Sequence, residues 1–308
     1  MDGLPVGRRW APAFLIVLFA LVTACLPAPP AGASFPGSPG RIAYSVTVPR
    51  AREYRLQSIL PRGDSKREIF VATVTDTLVQ GEPAYSADGR RVAFSLEDHL
   101  FVIDADGTDL RQLTFGPERD QDPAFAPDNR TIVFDRIGAG AQEIYSIRTD
   151  GTSLTRLTHN SFHDFSPTWS PTGKLIAFVS NRSGTTHVWL MRPDGSRQRI
   201  LVPDRPGVPD GQVQPDFSPS GRRIAVSRGA HLTTMRLDGT HSVLLNRSTI
   251  MRDPTYSPDG HRIAAILPNR RNRFYEIVVM RLDGTDKRKV RRHLLNLQGI
   301  SWQPRPQR

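Results

Sequence analysis

The sequence predicts an all-β protein: a six-bladed β-propeller of four-stranded antiparallel blades, closed by pairing of the C-terminal strand with the N-terminal segment. Three observations lead there. The stretch PAYSADGRRVAFS at 83–95 returns, edited, at 123–135, 167–179, 215–227 and 254–266. After each copy comes a further apolar run that ends on Asp-Gly, at Asp106-Gly107, Asp150-Gly151, Asp194-Gly195, Asp238-Gly239 and Asp283-Gly284. Finally, a sixth copy begins at Trp302 and the chain stops, while strands that would complete it stand at the other end, from Gly40 onward.

Each copy reads as four strands in order. The first is short and centred on an aromatic residue: Tyr85, Phe125, Trp169, Phe217 or Tyr256. A tight turn follows, carrying Asp, Asn or Gly, the residues that tolerate positive φ. The second strand (RRVAFS, RTIVFD, KLIAFV, RRIAVS, HRIAAI) is almost continuously apolar, as expected of a strand buried on both faces. The third runs to the Asp-Gly hairpin, and the fourth is more polar, as suits an outer edge. At the N-terminus GRIAYS (40–45) matches a second strand, YRLQSIL (54–60) a third and REIFVAT (67–73) a fourth, with Arg62-Gly63-Asp64-Ser65 at the hairpin. Residues 40–308 are thus read as one propeller.

The chain is basic, with 41 Lys and Arg against 30 Asp and Glu, a net charge of +11. Such a balance favours acidic partners, although Arg and Asp are interspersed. Arg8 and Arg9 precede an apolar run at 13–24 that is too short to span a bilayer comfortably and reads as a signal peptide, residues 1–24. Leu21-Val22-Thr23-Ala24-Cys25 resembles a bacterial lipobox, which would make Cys25, the single cysteine, a lipidation site; Ala31-Gly32-Ala33 is an alternative cleavage motif for a secreted form. Residues 25–39, rich in Pro, Gly, Ala and Ser, read as a flexible tether.

Tyr85-Ser86-Ala87-Asp88-Gly89 and Tyr256-Ser257-Pro258-Asp259-Gly260, each followed by Arg-Val-Ala or Arg-Ile-Ala, resemble the WD40-like PD40 repeats of TolB-type propellers. The Asp-Gly-Thr hairpins match that family too. The resemblance implies a propeller that binds or scaffolds other molecules. TolB carries an α/β domain before its propeller; the expectation here is a stand-alone lipoprotein form without it.

In a propeller the loops joining fourth to first strands and second to third strands share one face, termed here the top, and both hairpins of each blade share the other. Top-face loops recur with arginine: Arg136, Arg182, Arg228, Arg270 and Arg271, besides Arg50 and Arg52. A guanidinium fork suits carboxylate or phosphate, so these form a candidate site for an acidic partner; the alternative is arginine carried on exposed loops by composition. Glu82, Asp122, His163, Asp164, Gln214 and Asp253 approach the axis through the loops into the first strands and form a candidate pocket. Asp122 and Asp253 directly precede prolines, where local turn capping is the alternative. His99, His187 and His231 share one repeat position that is spread around the ring, which argues against a common metal ion. DADGTD at 104–109 lacks the glutamate of a calcium loop and reads as a hairpin. No nucleophile elbow, P-loop or dinucleotide fingerprint is present.

The reading is an exported, envelope-associated binding or scaffolding propeller. It is expected as a monomer, without cofactor or metal, held at the membrane or in the periplasm through Cys25. Its partner would be an envelope protein or acidic polymer rather than nucleic acid. The rival is a propeller enzyme, a hydrolase, lactonase or lyase, with its site at the channel mouth.

Overall fold

The computed structural model describes residues 35–75, 82–202, 211–229, 231–246, 250–269 and 274–305. They form six four-stranded antiparallel sheets. Blade 1 is built from both ends of the chain, in the order Leu297–Arg305, Ser38–Val48, Glu53–Ile59, Arg67–Thr73 from the axis outward. Ile42 pairs with Trp302 and Ala43 with Ser301 across the seam, so the ring closes as the split repeat requires. The innermost strands of blades 2 to 6 are Ala84–Tyr85, Arg119–Phe125, Asp164–Trp169, Gln212–Phe217 and Arg252–Tyr256. The aromatic residue ends each of these strands rather than centring it. There it packs into the seam with the preceding blade, as Phe125 does with Ala93, Leu100 and Val102.

The second strands are sandwiched as their apolar runs predict. In blade 1, Ile42 and Tyr44 face the seam with blade 6, whereas Ala43 between them faces blade 2. All three are fully buried. Each of the six hydrophobic clusters fills one seam between neighbouring blades, so the core is a ring of seams and not a central mass. Burial of each large aliphatic side chain contributes about 1.5–3 kcal/mol. The outer strands of blades 2 to 5 have shrunk to two residues each, such as Arg111–Gln112 and Thr155–Arg156. Short outer strands limit the open sheet edge.

The hairpins of the blades are locally wired. Ser86 Oγ donates to Asp88 Oδ1 over 2.7 Å and accepts the Arg91 amide over 2.9 Å; Ser257, Asp259 and Arg262 repeat the arrangement. In the second hairpin Thr108 Oγ1 donates to Asp106 Oδ1 over 2.7 Å, and Thr152, Thr240 and Thr285 do the same. The residue between them must be glycine. Gly195 and Gly284 have φ of +81° and +80°, and a methyl group on either would lie 2.3 and 2.1 Å from the carbonyl oxygens of Leu157 and Leu245 in the preceding blade.

Candidate functional site

The inner strand of each blade has one open edge, facing the axis, where backbone amides lack a neighbouring strand. Buried amides need acceptors, and polar side chains along the channel supply them. In blades 3 to 6 the strand bulges at the residue before proline. Asp122, Ser166, Gln214 and Asp253 adopt φ of 49°, 47°, 54° and 54°, and each lies within a break of register. Left-handed backbone costs a non-glycine residue roughly 1–2 kcal/mol, so the ring holds a strained conformation four times over. Its effect is to lay these side chains, with Glu82 of blade 2, around one cavity of about 120 Å³ bounded by all six inner strands. Phe35, from the chain entering blade 1, also lines this cavity.

The bulge residues are linked from blade to blade. Ser166 Oγ donates to Asp122 Oδ2 over 2.8 Å, and the Ser166 amide donates to Asp135 Oδ1 over 3.0 Å. The Asp253 amide donates to Gln214 Oε1 over 3.0 Å, and the Ile300 amide to Asp253 Oδ2 over 2.9 Å. One layer further along the channel, Asp216 Oδ2 accepts the Tyr256 amide over 2.6 Å and Ser301 Oγ accepts the Tyr85 amide over 3.1 Å. Asp122 and Asp253 therefore serve the neighbouring blade and do not cap their own turns. Glu82 is the exception: its carboxyl makes no hydrogen bond among the described residues and faces the cavity.

The channel is acidic in a basic protein. Enclosure in the wall pushes Glu82 well above the usual carboxylate range, and the charges of Asp122 and Asp253 add to the shift. Burial likewise raises Asp135 strongly, with Asp122 beside it, and raises Asp122 against hydrogen bonds from Ser166 and Asp135. Asp216 is pushed to about 7 by burial, against the Tyr256 amide that stabilises its charge. Asp253 is also pushed to about 7 by burial, against the Ile300 amide and Arg252. Carboxyls so enclosed and crowded favour their protonated form, and a positive group beside them favours the ionised one.

The sequence-predicted residues separate in space. Glu82, Asp122, Gln214 and Asp253 do converge on the channel. Asp164 does not: it is fully buried in blade 4, where Arg182 NH2 reaches its Oδ2 over 2.5 Å. His163, next to it, is exposed, with Nδ1 accepting the Gln142 amide over 3.4 Å. Arg136 grips buried Asp120 with both arms of its fork, over 2.6 and 2.9 Å. Arg136 also stacks on Phe134 and Tyr145, and Arg182 on Phe178 and Trp189. These two arginines clasp the first and second strands of their own blades, and their charges are matched there. Arg228 lies half-buried at the end of Arg223–Arg228. Arg270, Arg271, Cys25 and the leader lie outside the described residues.

Ser166, Asp135 and Asp216 complete the site and were not singled out from sequence. Ser166 had a signal, since Ser166-Pro167 stands in the same repeat column as Asp122-Pro123 and Asp253-Pro254. Asp135 is the one carboxylate in a column otherwise filled by Ser45, Ser95, Val179, Ser227 and Ile266. Among the described residues no group of three or more His, Cys, Asp or Glu side chains is arranged to hold a metal ion.

Residues 136–306, more than half the chain, match the sequence family described as the TolB beta propeller domain (PD40). Among solved structures the chain resembles TolB from Acinetobacter baumannii, with a TM-score of 0.73 and 18% identity over 85% of this chain and 66% of that one. It also resembles a chain of the nidogen/laminin complex (TM-score 0.66, 12% identity, 85% of this chain and 97% of that one). A third similar structure is an oligogalacturonate lyase in complex with manganese (TM-score 0.58, 11% identity, 86% of this chain and 85% of that one). At such identities the likeness is one of fold. No curated protein matches the chain.

Proposed function

The chain belongs to the TolB β-propeller family, and from that premise we propose that it is an exported binding and scaffolding propeller whose recognition site is the mouth of its channel. The observation that carries this reading is the ring at the residue before proline. All six inner strands contribute to a single cavity, and four of its lining residues are carboxyls, Glu82, Asp122, Asp216 and Asp253.

The character of the cavity sets the character of the guest. Arg136 and Arg182 are matched by Asp120 and Asp164, and four channel carboxyls against the single cation Arg252 leave negative charge facing the axis among the described residues. A lysine, arginine or terminal amine of an envelope protein would favour the ionised carboxyls and pair with Glu82, whose carboxyl makes no hydrogen bond among the described residues and feels only the charge of Arg252 as a cation. Burial makes such a pairing selective, because an uncharged group would leave the carboxyls desolvated. On the reading of the top-face loops, Arg228, Arg270 and Arg271 are the arginines offered to acidic groups of the same partner. Export rests on the signal peptide at 1–24, with lipidation at Cys25 or cleavage after Ala33 as the two mature forms; metabolic labelling with palmitate separates them.

The test is capture of partners from envelope extract by the full chain and by its Glu82→Gln variant. Loss of a specific partner in the variant supports the channel mouth as the site. Equal capture by both overturns it.

A second reading has one observation in its favour. Asp122 and Asp135 are bridged by Ser166, whose hydroxyl donates to Asp122 and whose amide donates to Asp135, and both have raised pKa values. A pair of carboxyls raised in this way is suited to general acid and base work. An activity panel on acidic oligosaccharides, esters and lactones, run beside the Asp135→Asn variant, decides this: turnover abolished in the variant would make the protein an enzyme.

A further inference from the structure

The channel acids stand in two layers, and the far end of the cavity is closed. The mouth layer is the column before proline, with Glu82, Asp122 and Asp253. Glu82 lies over Gly299, which takes that column in blade 1; a methyl group there would stand 2.8 Å from the glutamate Cγ. The deep layer is the column after proline, where Ala84, Ala124, Thr168, Thr255 and Ser301 are small and Asp216 alone is charged. Two amides give the separation of the layers. Asp253 Oδ2 accepts the amide of Ile300, which stands in the proline column, and Asp216 Oδ2 accepts the amide of Tyr256, two columns further on. Two residues of strand are about 6.6 Å. At the hairpin end the Gly37 amide donates to Pro258 O over 3.2 Å, and Phe35, just before it, lines the same cavity.

We propose that the channel binds a short aliphatic diamine, with one ammonium at the mouth against Glu82 and Asp253 and the other at Asp216, and with Phe35 as the stop that limits its length. The inference rests on reading the channel as a cation site, but not on a protein partner. Glu82 is enclosed, makes no hydrogen bond among the described residues and faces the cavity, so it has a place for one ammonium. Four lining carboxyls against the single cation Arg252 leave charge for a second. One metal ion cannot serve both layers, because metal–oxygen bonds of about 2.3–2.6 Å do not bridge that separation. A diamine with a four-carbon spacer does, and its methylenes would pass the small residues Ala84 and Ala124. The volume agrees. A cavity of about 150 Å³ takes benzene, so one of about 120 Å³ takes a chain of similar heavy-atom count and no sugar ring with its hydroxyls. Alkylammonium groups keep their charge through neutral pH. Asp216 and Asp253, pushed up to about 7 by burial, would lose their protons as the ammonium groups arrive.

The test is titration calorimetry of the full chain with diaminobutane carrying an amine at each end, the corresponding diaminohexane, butylamine and calcium chloride. Diaminobutane should bind at least about tenfold more tightly than butylamine, which leaves Asp216 unpaired, and than diaminohexane, which meets Phe35. Its binding near about pH 6.5 should release protons, read as a heat that changes with the ionisation enthalpy of the buffer. Asp216→Asn should bring diaminobutane within about twofold of butylamine, and Phe35→Ala should bring diaminohexane within about twofold of diaminobutane. Each variant must keep a cooperative thermal transition. Equal affinity of the wild type for butylamine and diaminobutane overturns the proposal, as does a preference that survives Asp216→Asn. No binding of any amine, or binding of calcium alone, overturns it too. Partner capture separates this failure from failure of the mouth as a recognition site. Capture lost in Glu82→Gln and kept in Asp216→Asn, by a protein that ignores diamines, leaves the mouth standing and removes the diamine.

Discussion

Asp253 holds Ile300 across the last seam of the ring: its Oδ2 accepts the Ile300 amide over 2.9 Å. Ile300 belongs to the strand Leu297–Arg305, which the chain contributes last, and its amide sits on the open inner edge of blade 1. The bond therefore ties blade 6 to the closing blade at the point where the ring has no covalent continuity. Asp253→Ala strands that amide in the channel wall and should cost about 1–3 kcal/mol. Asp253→Asn keeps a carbonyl oxygen in place and should cost less than half as much. Urea unfolding of the two variants compares them, and equal losses would show that the amide finds another acceptor.

Arg182 and Asp164 make a structural claim of the same kind on the outside of the channel. Asp164 is fully buried and has Arg182 as its cation. Removing one partner of a buried pair costs about 3–5 kcal/mol because the other charge is left desolvated. Arg182→Met should therefore be severely destabilising, and adding Asp164→Asn should recover much of the loss. Arg111, more than half exposed beside Asp109, is the contrast: Arg111→Ala should change stability by less than about 0.5 kcal/mol. Chemical denaturation of the three variants reads all these differences.

The glycines of the propeller divide by what stands in front of them. At Gly284 a methyl group would meet the Leu245 carbonyl oxygen at 2.1 Å, with φ already at +80°, whereas at Gly184 φ is +99° and nothing lies within 4 Å. Gly284→Ala must both strain the turn and push apart the hairpin and the preceding blade, an expected loss of roughly 2–4 kcal/mol. Gly184→Ala carries the backbone strain alone, about 1 kcal/mol. If melting shows similar losses for both, the hairpins do not pack between blades as described.

The architecture was legible because it is written in repeat columns. Asp-Gly hairpins, aromatic strand ends and two-sided apolar strands each recur in register, and the split sixth copy announced the seam that Ile42 and Trp302 make. The site was only partly legible. Residues before proline were visible as a column, but that Asp122 and Asp253 reach the neighbouring blade depends on the bulge, a feature of backbone path that residue type does not encode. Arg136 and Arg182 turned out to be matched within their own blades. Charge and position on top-face loops suggested a free ring, while the register that sets Arg136 opposite Asp120 is a property of paired strands.

The channel carboxyls give the propeller a distinctive pH dependence. Glu82, Asp122, Asp135, Asp216 and Asp253 all have raised pKa values, Asp216 and Asp253 at about 7, with burial the leading cause in each. A carboxyl whose pKa is raised by folding keeps its proton in the native ring after the unfolded chain has lost it. Its stabilising contribution is complete below the unfolded value, and it fades as pH rises through the folded value. The hairpin acids Asp106, Asp150, Asp194, Asp238 and Asp283 are shifted the other way by their Thr or Ser partners, so what they contribute is lost only as pH falls through their lowered values. Stability should thus peak near about pH 4–5 and decline by a few kcal/mol towards about pH 8. Falling net positive charge opposes this trend, so the decisive comparison is between variants. Asp216→Asn with Asp253→Asn should flatten the decline between about pH 5 and 7.5 in thermal melts at fixed ionic strength. A wild-type melting temperature that rises across that window, or a slope unchanged in the double variant, would mean that the channel carboxyls are ionised and hydrated in the folded ring.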